Sequence, residues 1–140
     1  MSSYVLGLDV GERRIGVALA SSIARLPTPL QTIDSRQVDN VVAAIVQLVE
    51  KHEVGVVVVG LPRDLQTAET VQTAYVRAFS KELANHLSVP IIFQDEALTS
   101  VAAEAWLKEN KKDYTKADID AEAAVLILRD YFSTLQEKTA

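Results

Sequence analysis

The sequence predicts an α/β fold in which a five-stranded mixed β-sheet carries helices on both faces. Three observations lead there. Two apolar runs at residues 5–8 and 14–20 are separated only by a short turn, and so read as a hairpin. Val56-Val-Val-Val59 is β-branched throughout and runs into Gly60-Leu-Pro62, which suits a central strand buried on both faces. After this, helical stripes alternate with strand patterns, and a leading meander followed by such alternation implies a mixed sheet.

Residues 5–8 are apolar except for Gly7 and form the first strand. The second, residues 14–20, alternates Ile15, Val17 and Leu19 with Gly16, Ala18 and Ala20. Pro27 and Pro29 punctuate a loop, and residues 30–33 read as a third strand. Asp34 or Ser35 is placed to cap a helix whose Val38, Val41, Val42, Ile45, Leu48 and Val49 form one apolar stripe. The polar stretch 63–69 follows the central strand and leads into a long helix with Val71, Tyr75, Ala78, Phe79 and Leu83. Residues 90–93 supply the fifth strand. Helices over about 100–109 and 118–135 follow, with a lysine-bearing loop, residues 110–116, between them.

At 140 residues the chain is expected to be one domain, residues 1–140, able to bury roughly 70% of its unfolded surface. Cysteine is absent, which excludes disulfides and thiolate metal sites and fits a reducing cytoplasm. No signal peptide is expected, since Met1-Ser-Ser precedes the first strand directly, and no apolar run is long enough to span a bilayer. A net charge of −5 argues against non-specific coating of nucleic acid, though a local basic rim can still hold a polyanion.

Ligands of open α/β sheets bind beyond the carboxyl ends of the strands. Asp9 follows the first strand, Asp95 and Glu96 follow the fifth, and Asp120 falls in the first turn of the last helix. If the first and fifth strands run parallel, these distant acids meet at one edge of the sheet. Asp120 shares its helix face with Ala124, Ile127 and Leu128, the side that packs inward. A divalent cation is the usual remedy for carboxylates gathered in a buried place, and Mg²⁺ favours such hard oxygen ligands.

Taken together, these residues resemble the YqgF (RuvX) family of RNase H-like nucleases. The family's opening motif is matched by Asp9-Val-Gly11-Glu-Arg-Arg14-Ile15-Gly16-Val17-Ala18. Val59-Gly60-Leu61-Pro62, Asp95-Glu96-Ala97-Leu98-Thr99 and Ile119-Asp120-Ala-Glu-Ala123-Ala124 match its later motifs in order. The resemblance implies an RNase H-like fold and a cytoplasmic hydrolase that cleaves phosphodiester bonds in maturing the 5′ end of pre-16S rRNA. A Holliday-junction-resolvase-like action on structured DNA is the alternative. It implies Mg²⁺ or Mn²⁺ held by Asp9, Asp95, Glu96 and Asp120, with Asp9, Glu96 and Asp120 catalytic. Two departures stand out: Ala97 replaces the family's usual arginine, and Arg63-Asp-Leu-Gln-Thr67 replaces its usual Met-Asp-Gly-Ser/Thr.

Arg13, Arg14, Arg63 and Lys116 are the residues expected to hold backbone phosphates of RNA or structured DNA. The small ribosomal subunit is a further expected partner, a membrane is not, and the chain is expected to be a monomer or weak homodimer. Two other classes compete. Phosphotransferases of the actin and sugar-kinase type share an Asp-x-Gly hairpin but need a second lobe, for which 140 residues leave no room. A catalytically weakened RNA- or ribosome-binding module would keep the fold, and Ala97 is the residue that recommends it.

Overall fold

The computed structural model describes residues 4–63, 68–96, 99–111 and 113–139. The elements are β1 (Tyr4–Val10), β2 (Arg14–Ser21), β3 (Thr28–Asp34), α1 (Val41–Lys51), β4 (Val54–Pro62), α2 (Val71–Ala84), β5 (Ile91–Glu96), α3 (Thr99–Asn110) and α4 (Lys116–Thr139). One five-stranded sheet has the order β3-β2-β1-β4-β5. β1, β2 and β3 form an antiparallel meander, whereas β1, β4 and β5 are parallel. The predicted mixed sheet is therefore present, and the carboxyl ends of β1, β4 and β5 share one edge.

Side-chain alternation divides the core. Leu6, Leu8 and Val10 of β1 face the cluster built with Ile45, Leu48 and Val49 of α1 and Val76 and Leu83 of α2. Val5, Ala18 and Val58 face the opposite cluster, supplied by Ala124, Val125, Ile127, Leu128 and Phe132 of α4. Asp9 has the same parity as Val5, so it emerges on the α4 face. That parity settles which helix Asp9 meets.

α4 crosses the whole sheet. Thr32 Oγ1 of β3 donates to the Ala117 carbonyl at 2.6 Å, anchoring the first turn. Asp120 then lies over Gly16 of β2, Leu128 over Gly7 of β1 and Ile127 over Gly60 of β4. At the far side Gln94 of β5 donates to Thr134 at 3.5 Å. The 17 steps from Ala117 to Thr134 rise about 25 Å, enough to traverse five strands spaced about 4.8 Å apart on a diagonal.

Some boundaries differ from the sequence expectation. α1 is capped by Asn40, whose side chain accepts from Ala43 N, and not by Asp34 or Ser35. Asp34 is already engaged: it ends β3 opposite Arg14 and accepts from Arg36 N at 2.9 Å. Pro29 lies within β3, which tolerates it as an edge strand with an irregular register beside Val17 and Ala18. β5 continues through Asp95 and Glu96, so both acids sit in a strand. α4 begins at Lys116, two residues before the expected start, because Thr115 and Asp118 exchange backbone-to-side-chain hydrogen bonds at 2.9 and 3.2 Å. Lys116 thus opens the helix rather than closing a loop.

Candidate active site

A cleft of about 380 Å³ opens at the carboxyl edge of the parallel strands, lined by Asp9, Val10, Gly11, Arg14, Gly60, Pro62, Arg63, Gln72, Glu96, Val101, Asp120 and Ile127. Asp9, Glu96 and Asp120 are contributed by β1, β5 and α4 respectively. Three elements far apart in the chain converge as the parallel strand order requires.

Asp9 pairs across the hairpin with Gly16, and a Cβ at Gly16 would lie 1.8 Å from the Asp120 carbonyl oxygen. Only a residue without a side chain lets α4 bring its backbone at Asp120 over the hairpin there. Burial, and then the charge of Asp120, pushes the Asp9 carboxyl up to about 7. Gly11 shapes the turn: its N–H donates to the Arg14 carbonyl at 3.0 Å, and a Cβ there would meet the same oxygen at 2.8 Å. The turn returns Arg14 to the cleft, where its Nε–H donates to Asp120 Oδ2 at 2.6 Å.

Glu96 ends β5 opposite Pro62. Its Oε1 is buried without a hydrogen-bond partner. Burial comes first, then a hydrogen bond and charge from Asp130, then the charges of Asp9 and Asp95, and together they push Glu96 up to about 9. Gly60 leaves room on β4 between these groups, since a Cβ there would meet Ile127 Cδ1 at 2.4 Å and Glu96 Cγ at 3.6 Å.

The other predicted site residues separate. Asp95 points away from the cleft, with an exposed side chain bound to Arg63 Nε at 3.2 Å. Arg63 does reach the cleft, but it also holds Glu69 at 3.3 Å. Arg13 stands 3.8 Å from Asp34 and borders a different hollow with Ile15, Ile33, Tyr75 and Phe79. Lys116 borders a second hollow of about 300 Å³ that shares Arg14, Val101 and Asp120 with the cleft and adds Glu104 and Ile119. Of the four cations expected to form one rim, Arg14 and Lys116 stand together, Arg63 is occupied by acids, and Arg13 is elsewhere.

Two further residues belong to the site. Asp130 lies three residues beyond Ile127, the residue seated over Gly60, so helical spacing could have revealed it as a neighbour of the acids. Gln72, in the first turn of α2, donates to the Val10 carbonyl at 3.2 Å and closes the cleft beside β1. Ala97 and residues 64–67, where the chain departs from the family motifs, lie outside the described residues.

The donor set suits a hard cation: carboxylate oxygens, one of them buried and unpartnered, and no thiolate. Among the described residues, however, no three acidic or histidine side chains stand close enough together to hold one ion. The 2.6 Å contact with Arg14 already engages one carboxylate oxygen of Asp120.

A five-stranded mixed sheet with acids from β1, β5 and α4 at one edge defines an RNase H-like protein. The family model described as RuvX, Holliday junction resolvase, matches residues 3–134, and the chain belongs to that family. A relative from Chloroflexus aurantiacus named "Putative pre-16S rRNA nuclease" is 45% identical over 129 residues, covering 91% of this chain and 84% of the relative. A Synechocystis relative of the same name is 40% identical over 138 residues, covering 94% and 91%. Among solved structures, Thermus thermophilus RuvC in complex with a Holliday junction superposes with a TM-score of 0.56 at 14% identity, covering 94% of this chain and 96% of that one. The fowlpox virus resolvase bound to junction DNA gives 0.59 at 10% identity, covering 94% and 98%. These likenesses establish the RNase H-like fold.

Proposed function

We propose that this chain is a divalent-metal-dependent nuclease that hydrolyses phosphodiester bonds in the cytoplasm, acting on the 5′ end of pre-16S rRNA. The observation that carries the reading is the convergence of Asp9, Glu96 and Asp120 with Arg14 in one open cleft. The curated names of relatives 40–45% identical support the RNA substrate. Asp9, Glu96 and Asp120 are the cleft carboxylates from which one or two, completed by water, would hold Mg²⁺ or Mn²⁺; the bound ion would activate a water and neutralise charge on the phosphate. Arg14 and Lys116 orient the backbone of the nucleic acid. In the metal-free protein burial and the neighbouring acids raise the proton affinity of Glu96, and a bound cation would have to displace that proton to engage the carboxylate. Among the described residues no helix is long and apolar enough to cross a membrane.

The family description favours a second reading, cleavage of branched DNA. One experiment addresses both. Purified protein with Mg²⁺ or Mn²⁺ is offered a pre-16S 5′-leader RNA and a four-way DNA junction, with Asp9→Asn as the blank. Metal-dependent cleavage of the leader that Asp9→Asn lacks is the expected result. Cleavage of the junction alone selects the second reading, and cleavage of neither makes the chain a binding module.

A further inference from the structure

Arg14 touches the proposed metal ligand Asp120 directly, through a 2.6 Å bond from Nε–H to Oδ2. Its side chain lines both the cleft and the neighbouring hollow that contains Lys116 and Glu104, so the guanidinium has space on either side of that bond. Asp9 and Glu96 have other acids as their charged neighbours.

We propose that Arg14 is an exchangeable counterion: it holds Asp120 until a substrate phosphate takes the guanidinium, and Asp120 then passes to the divalent cation. The inference rests on the metal-nuclease reading. The pair is partly buried, with side-chain exposures of 28% for Arg14 and 17% for Asp120, so each charge needs a replacement partner when the two part. A cation arriving alone has to displace the guanidinium and leave it uncompensated. A phosphate arriving alone meets a guanidinium whose charge is already neutralised. When both arrive, one separation serves both. Metal and nucleic acid therefore tighten each other's binding, and by thermodynamic reciprocity the factor is the same in either direction. Arginine suits the exchange, because it stays charged throughout and its planar fork matches carboxylate and phosphate alike.

The test is Ca²⁺ binding to the full chain by calorimetry, with and without a short single-stranded RNA, in wild type, Arg14→Ala, Arg14→Gln and Arg13→Ala. Arg13 removes the same charge from the same turn but contacts Asp34, so it controls for general repulsion. In wild type, RNA should tighten Ca²⁺ by a factor in the usual coupling range of about 5- to 150-fold. Arg14→Ala and Arg14→Gln should bind Ca²⁺ alone more tightly than wild type and lose most of that coupling, while Arg13→Ala follows wild type. The exchange is overturned if the Arg14 variants bind Ca²⁺ alone no more tightly, or if their coupling to RNA is undiminished. Failure of the nuclease reading looks different: no protein in the set binds Ca²⁺ or Mn²⁺ with or without RNA, and the exchange falls with it.

Discussion

The Asp120 carbonyl oxygen occupies the space a side chain at Gly16 would need, 1.8 Å from where its Cβ would stand. Gly16 is also the cross-strand partner of Asp9. A single missing methyl group therefore controls both how α4 seats on the sheet and how near Asp120 comes to Asp9.

Gly16→Ala is expected to lift α4 at Asp120 and Ala121. Overpacking of this kind costs about 1–3 kcal/mol, readable as a lower denaturation midpoint. Mn²⁺ affinity should fall as well, because Asp120 moves with the backbone. Wild-type stability and affinity together would mean that the turn relaxes without displacing the acid.

Asp9→Asn should leave the protein folded, abolish metal-dependent cleavage and raise the melting temperature in chelator. The gain comes from removing a buried ionisable group that faces Asp120. An Asp9→Asn protein that cleaves like wild type removes Asp9 from the metal site.

Stability should also depend on pH in a particular direction. Asp9 is raised from 3.8 to about 7 and Glu96 from 4.5 to about 9, so the folded state binds these protons more tightly than the unfolded chain. Their contribution is fully present below the unfolded values and is lost as pH rises through the folded ones. In chelator, the midpoint of urea unfolding should fall between about pH 4 and 9. Adding Mn²⁺ should reduce that slope, and Asp9→Asn should flatten its lower half. A midpoint that climbs across this range would contradict the assignment.

Asp118 and Asp120 share a helix turn but differ in purpose. Asp118 accepts from Thr115 N at 2.9 Å and from Lys111 Nζ at 3.3 Å, and the Thr115 backbone bond, followed by Lys111, holds its carboxyl below the usual range. Asp118→Ala should cost about 0.5–2 kcal/mol as a lost helix-start interaction and spare metal affinity. Asp120→Ala should weaken Mn²⁺ binding in calorimetry, and its stability should reflect two opposed effects, the loss of the partner of Arg14 and the relief of repulsion on Asp9.

The sequence alone made much of this arrangement readable, for identifiable reasons. Strand alternation put Asp9 on the face opposite Leu8, and the β-α alternation after Val56 made β4 and β5 parallel, which brings Glu96 to the same edge. What could not be read depended on register between distant segments. Leu61 stands opposite Asp95 and Pro62 opposite Glu96, and this pairing brings Arg63 against Asp95. The split between Arg13 and Arg14 was hidden for a related reason: adjacent residues at a strand entrance point to opposite sides, and which side faces α4 is decided by Gly16. Asp34 looked like a helix cap because local preference cannot show that β3 and Arg36 already use it.

Nucleic-acid binding should reflect the same split. Arg14→Ala should flatten the plot of log affinity against log salt by roughly one unit or slightly less, measured in Ca²⁺ with RNA. Arg13→Ala and the α2 control Lys81→Ala should keep the wild-type slope. An unchanged slope for Arg14→Ala would remove it from the phosphate contacts.

The diagonal passage of α4 over all five strands also sets where this chain can change length. Adding one residue between Asp120 and Asp130 would turn everything beyond it by about 100°, since a helix makes one turn per 3.6 residues. Asp130 and Thr134 would swing away from Glu96 and Gln94 while Asp120 stayed over Gly16. Residues 121–129 are therefore a fixed gauge between the two ends of the site. The turn joining β2 to β3, where Ile23 and Leu26 are 86% and 74% exposed, holds no residue of the site, although its Arg25 lies over the Phe132 ring of α4 at 5.5 Å, and so tolerates a change of length better.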